Sequence, residues 1–533
     1  MPRALKHAAS ARRCAVLLAV LALAAAPDAG ARQGKAPASG TLRVAINSDM
    51  RSTQFGVNRD GNTDSILHHV VEGLVAYRDN LAVGPLLAKK WEVSRDARAY
   101  TFTLRDGAVF HNGKPVTAAD VKWSWERLLR PETGFACRNW FDGSGNTGIE
   151  IEKIEAVSDS VVRFTLKVPN ALFLTRMAHI PCLSGIIHKD SVDASGKWIA
   201  PIATGPYTIR DWRRDQYVEL ARFDRYKPLA AARDGYAGDR SSTIERLRFV
   251  VIGDAAAAKA ALLAGDIDVL LNLDLDAVDE VGRRKDIRLT KNVTPGWQVL
   301  MINNRDPLLR DKRVRQAIAR AIDRRQVVMS ATHSLGSANP SAVAAGSLFH
   351  GKEFDDALPH SREAARKLLS EAGYRGEPVK IQTSTQYPQD FKSAIMIQGM
   401  LRQVGLNAEL EVLDWATHLK NYFEGRYQLM TMGFSARADP AMLMDVFIGD
   451  KGRRRSVVFD DPGVSALLRE SGKVTDAAQR RRLFGEIHKR VIDDSSIVGL
   501  FNQIEINAAG RRVQGFASWA LGKPRFWGVE LVQ

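Results

Sequence analysis

Two strand–helix–strand runs decide most of what this chain can fold into. In the first, Leu247 to Ile252 reads as an apolar strand. Asp254 caps a helix reaching Leu263, Gly265 ends it, and Ile267 to Leu271 is the next strand. In the second, Val379 to Thr383 leads into a helix from Asp390 to Val404. Gly405 stops that helix, and Ala408 to Leu413 follows as a strand. Crossovers of this kind join parallel neighbours, so each run predicts an α/β sheet. A chain of 533 residues is too long for one hydrophobic core. Two separate α/β lobes are therefore expected.

Other segments fill in the frame. Thr41 to Ile46, Tyr217 to Arg222, Gln298 to Asn303 and Tyr427 to Phe434 read as strands, and Leu67 to Val75 has helical spacing. Val314, Ala317, Ile318, Ala321 and Ile322 form one apolar stripe, with arginines on the other face of the same helix. Ser361 to Ala372 and Arg480 to Val491 are further helices. His68 and His69 are neighbours whose side chains diverge on a helix, so a two-histidine metal clamp is not expected.

The first residues read differently. Arg3, Lys6, Arg12 and Arg13 precede the short apolar run Cys14 to Ala26, and Ala29-Gly30-Ala31 offers a small-residue cleavage site. Residues 1–31 are thus expected to be a signal peptide, and the protein to be periplasmic. Cys14 does not follow the apolar run, so no lipid anchor is expected. The formal net charge is +16, but an exported chain gives no reason to expect nucleic acid as a partner. Cys137 and Cys182 suggest a disulfide in an oxidising compartment, with buried thiols as the alternative. No G-x-S-x-G elbow, H-E-x-x-H helix or phosphate-cradling Walker loop is present, which argues against an enzyme. A secreted hydrolase with a triad assembled in space is the alternative of another class. No cofactor or metal site is read.

The stretch from Leu87 to Leu129 carries the most specific pattern. It contains Leu87-Ala88-Lys89-Lys90-Trp91, Asp96, Tyr100 to Arg105, Val109-Phe110-His111-Asn112-Gly113 and Thr117 to Ser124. Physically it is a hairpin feeding a helix, with Thr117 and Asp120 spaced as a capping box. It resembles the signature of the family 5 extracellular solute-binding proteins, the peptide-, nickel- and opine-binding components of ABC importers. Thr204-Gly205-Pro206-Tyr207 and Asp311 to Arg324 are similar to two further motifs of that family.

The resemblance implies a two-lobed venus-flytrap fold with an extra N-terminal subdomain. Lobe I is expected at 41–80, 201–297 and 506–533, the extra subdomain at 81–200 and lobe II at 298–505. A monomer is expected that hands its solute to a membrane permease and ATPase. A metal-complex or haem-binding member of the family is the alternative.

In peptide-binding members of the family, a Trp, a Gly-Trp pair and a following Asp line the cleft, and the Asp pairs with the peptide ammonium. Trp415 matches the first, Gly433-Phe434 the second, and Arg437 stands where the Asp would be. A guanidinium prefers carboxylate or phosphate. The expected solute is therefore anionic or neutral, unless Asp439 takes the acidic role or pairs with Arg437. Trp140 and Trp297 are further aromatic candidates for the cleft, with core positions as the alternative. Arg453-Arg454-Arg455 reads as a solvated surface run outside the site.

Overall fold

A computed structural model of the chain describes residues 40–145, 149–474 and 476–532. The signal-peptide reading lies outside the described residues. The strands of the main sheet are β1 (Thr41–Ile46), β2 (Tyr207–Arg213), β3 (Tyr217–Arg222), β4 (Arg246–Val251), β5 (Val269–Leu270), β6 (Ile287–Ile302), β7 (Val379–Thr383), β8 (Ala408–Val412), β9 (Leu429–Phe434) and β10 (Ile497–Gly510). They form one ten-stranded sheet in the order β8-β7-β9-β6-β10-β5-β1-β4-β3-β2.

Both crossover units are present. β4 and β5 lie parallel to β1 on its two sides, joined by the helix Ala255–Ala264. Asp254 accepts from the Ala257 amide, and Gly265 closes that helix in the left-handed region at φ 80°. β7 and β8 are parallel neighbours joined by the helix Pro388–Gln403.

β6 is much longer than the Gln298–Asn303 strand read from the sequence. Pro295 and Gly296 mark a break there, because proline lacks the ladder donor. The sheet absorbs them in an irregularity between Val293 and Trp297, and pairing with β10 continues on both sides. The expected boundaries at 297/298 and 505/506 fall inside β6 and β10, which are paired with each other.

The segment 81–200 carries its own four-stranded antiparallel sheet, Ala88–Val93, Ala99–Leu104, Val161–Leu166 and Ile151–Ser158 in that order. The helix Ala118–Leu129 begins with the expected capping box: Asp120 accepts from the Thr117 amide at 2.9 Å, and the Thr117 hydroxyl accepts from the Asp120 amide at 3.3 Å. Trp125 on this helix is fully buried against Phe141 and Phe164.

The helix read at Leu67 to Val75 lies earlier, at Gly61–Leu67. Asp60 caps it by accepting from the Thr63 amide. The run after it is buried without periodicity, which spacing alone mistakes for a helix face. The His68 ring sits 2.7 Å from each of the Asp64 and Pro524 carbonyl oxygens. His68 thus ties the C-terminal segment to the first helix. The Tyr236 hydroxyl donates to the Lys523 carbonyl at 2.6 Å beside it.

Candidate functional site

A cavity of about 760 Å³ opens where the two halves of the sheet meet. Its lining comes from the turn after β1, the disulfide region near residue 140, the loop after β5, the start of the helix Pro388–Gln403, the loop after β9, the outer part of β10 and the C-terminal segment. The Asn47 amide donates to the Gln386 carbonyl at 3.1 Å and the Gln386 amide to the Ser48 hydroxyl at 2.9 Å, which brings the turn after β1 against the loop after β7.

Four of the six residues singled out from the sequence line this cavity: Trp140, Trp415, Phe434 and Arg437. Trp415 is half-buried against Tyr387, with ring centroids 4.7 Å apart, and its indole N–H has no acceptor. Phe434 packs on Tyr422. Trp140 lies under the Arg176 guanidinium, 4.7 Å from its ring centre, and beside the His179 ring. His179 is fully buried with both ring nitrogens unpartnered, and burial holds it well below the usual histidine range.

Two of the six are elsewhere. Trp297 is buried in the core and donates its indole N–H to the Asn339 carbonyl at 3.1 Å, with its ring against Phe447. Asp439 caps the helix Pro440–Phe447 and forms a two-pronged ion pair with Arg480, at 2.7 and 2.8 Å. Its carboxylate is committed there, so it neither faces the cavity nor pairs with Arg437.

Arg437 is the chemically distinctive group. One of its terminal nitrogens donates to the Ser435 carbonyl at 2.7 Å, while Nε is buried without an acceptor. It forms no ion pair with any described residue. Burial pushes its pKa down to about 10, against the weaker opposing pull of Tyr422. The other basic groups on the cavity wall are largely occupied: Arg59 pairs with Asp64, Arg138 with Asp142 and Lys392 with Asp276. An acceptor-rich anionic group in the cavity would satisfy the Arg437 Nε.

The arginine run divides: Arg453 and Arg455 are exposed, as a solvated run would be, yet the run borders the cavity it was expected to lie outside. Arg453, Arg454 and Arg455 line the cavity, and Arg454 turns inward to donate to the Asp445 and Ile448 carbonyls at 2.6 and 2.9 Å. Sequence reasoning also missed Asp390 and Glu505, two wall carboxyls that burial pushes up to about 7. Neither stands in a motif, and only the pairing of distant strands brings them to the cavity.

Cys137 and Cys182 form a disulfide with Cα atoms 5.5 Å apart, and both line the cavity. Their separation of 45 residues corresponds to about 4 kcal/mol of denatured-state entropy in the chain-entropy account. Reduction, or replacing both cysteines by serine, is expected to lower the chemical denaturation midpoint by an equivalent amount. Unchanged midpoints in reduced and oxidised protein would show that the bond carries no stability.

Residues 82–453 match the family model described as bacterial extracellular solute-binding proteins, family 5 middle. The dipeptide-binding protein DppE of Bacillus subtilis is 23% identical over 514 residues, covering 92% of each chain. The dipeptide-binding protein of Escherichia coli is 25% identical, covering 89% of this chain and 91% of its own. Among solved structures, the periplasmic binding protein AgaA of A. tumefaciens in complex with agropinic acid superposes with a TM-score of 0.81 at 26% identity. That match covers 93% of this chain and 99% of AgaA.

Proposed function

The chain belongs to the bacterial extracellular solute-binding proteins of family 5, substrate-binding components of ABC importers, and from that premise we propose that it captures a small anionic solute in the 760 Å³ cavity. The solute would be released to a membrane permease driven by its ATPase. The reading rests on one observation: Arg437 lines the cavity with a buried, acceptor-less Nε and no carboxylate partner among the described residues. A ligand ammonium at that place would meet a like charge in a poorly solvated setting. A carboxylate or phosphate would be held in a fork.

The aromatic walls suit the same role. Trp415, Phe434 and Trp140 offer flat apolar surface around a few polar groups, the usual make-up of a small-molecule site. The AgaA complex, whose bound ligand is an acid, supports an anionic cargo, while the dipeptide-binding relatives keep short peptides in the same size range. Lobe closure would occur by bending within β6 and β10, where the pairing is already irregular near residues 293–299.

The test is native mass spectrometry of the exported protein purified from periplasm, with release and identification of what co-purifies. A bound species carrying a carboxylate or phosphate is expected. A solute with no acidic group would overturn the anionic reading and leave the family assignment untouched.

A further inference from the structure

Glu505 lies on β10 and lines the cavity wall. Its carboxylate has no hydrogen bond or ion pair with any described residue. Gly522, in the left-handed region at φ 69°, is what makes room for it, because a side-chain carbon there would run into both carboxyl oxygens. The nearest cation that acts on it is Lys523, whose ammonium already donates to the Gly61 carbonyl at 3.2 Å. Gln503, two residues earlier and therefore on the same face of the strand, also lines the cavity. A partly buried acid without a protein partner on the cavity wall is free to take a cationic group that arrives there.

Its position relative to Arg437 is set by the sheet. β9 and β10 both pair with β6, on its two sides, and run in the same direction. Phe434 and Asn502 face the same residue, Trp297. Glu505 stands three residues further along β10, and Arg437 lies in the loop three residues after β9 ends, so the two reach the cavity wall from opposite sides of β6. The cavity thus carries both an unpaired cation and an unpaired acid.

We propose that Glu505 is a second anchoring residue and that the solute is dipolar, with its acidic group on Arg437 and a protonated amine on Glu505. This deepens, and rests on, the reading of the cavity as a solute site. The assignment gives the amine-binding role to the strand β10, since Asp439 is held by Arg480.

The test is calorimetric titration of the full mature protein with three probes on one scaffold: alanyl-alanine, its N-acetylated form and its C-terminal amide. The wild type is expected to bind the free dipeptide at least about tenfold more tightly than either blocked form. Glu505→Gln should erase the preference over the acetylated form while keeping the preference for a free carboxylate. Arg437→Ala should do the reverse. Melting curves of both variants without probe establish that they are folded. Free and acetylated forms binding alike, both weakened by Arg437→Ala, would remove Glu505 and leave anionic capture standing. Failure of all three probes to bind or shift the melting curve at millimolar concentration would remove the dipolar reading, while anionic capture stands or falls with the species that co-purifies.

Discussion

Arg437→Ala is expected to weaken the co-purified anionic solute by tenfold to about a hundredfold, the worth of one charged hydrogen-bonding group lost from a site. The melting temperature of the solute-free protein should stay the same or rise slightly. The physical reason is that the guanidinium is desolvated without a counter-ion: burial is the main cause of its lowered pKa, and its Nε lacks an acceptor. Removing it takes away a cost in the empty protein and a contact in the loaded one. Calorimetric titration and scanning calorimetry of the same preparations separate the two effects. Arg437→Lys should fall between, since a point charge replaces a planar fork. Unchanged affinity in Arg437→Ala would take the residue out of the site.

The largest loss of stability is expected at the Arg176–Asp445 pair. Both side chains are fully buried, the nitrogen–oxygen distance is 3.2 Å, and Arg176 also covers the Trp140 ring. Asp445→Ala would leave a buried guanidinium facing no full counter-charge, at a cost of about 3–5 kcal/mol. The double change Arg176→Met with Asp445→Leu should recover most of that loss, because a buried ion pair contributes little beyond its apolar replacement. Guanidinium denaturation of the three proteins decides the matter. Arg454, 3.7 Å from the same carboxylate, loses its counter-charge as well, so a single variant no less stable than the wild type would show that the buried pair carries no stability. Asp445 also lines the cavity, so the variants should also release solute faster.

Much of the frame was legible because local chemistry and tertiary structure agree. The Thr117–Asp120 box, the Asp254 cap and the Gly265 stop all appear where residue type and spacing place them. β6 was only half legible, since Pro295 and Gly296 look like a loop until the bulge that holds them is seen. In the site, Arg437 was found by a departure from a motif and does line the cavity. Trp297 is an aromatic beside a strand and Asp439 an acid close to Arg437 in sequence, but their own partners, the Asn339 carbonyl and Arg480, take them elsewhere. Glu505 had no local signal. Its role depends on a strand more than two hundred residues from the other half of its own pairing, Arg288 to Ala509 and Val293 to Ile504.

That strand has a consequence for how the protein is made. β10 is the last strand of the main sheet along the chain, yet it sits at the centre of the order and, among the described residues, is the strand bonded to both β6 and β5. Until residues near 500 have left the ribosome, the two halves of the sheet lack the strand that joins them by backbone pairing. Long-range pairing of this kind is slow. The strand that joins the two halves of the sheet is therefore the last part of it to be made.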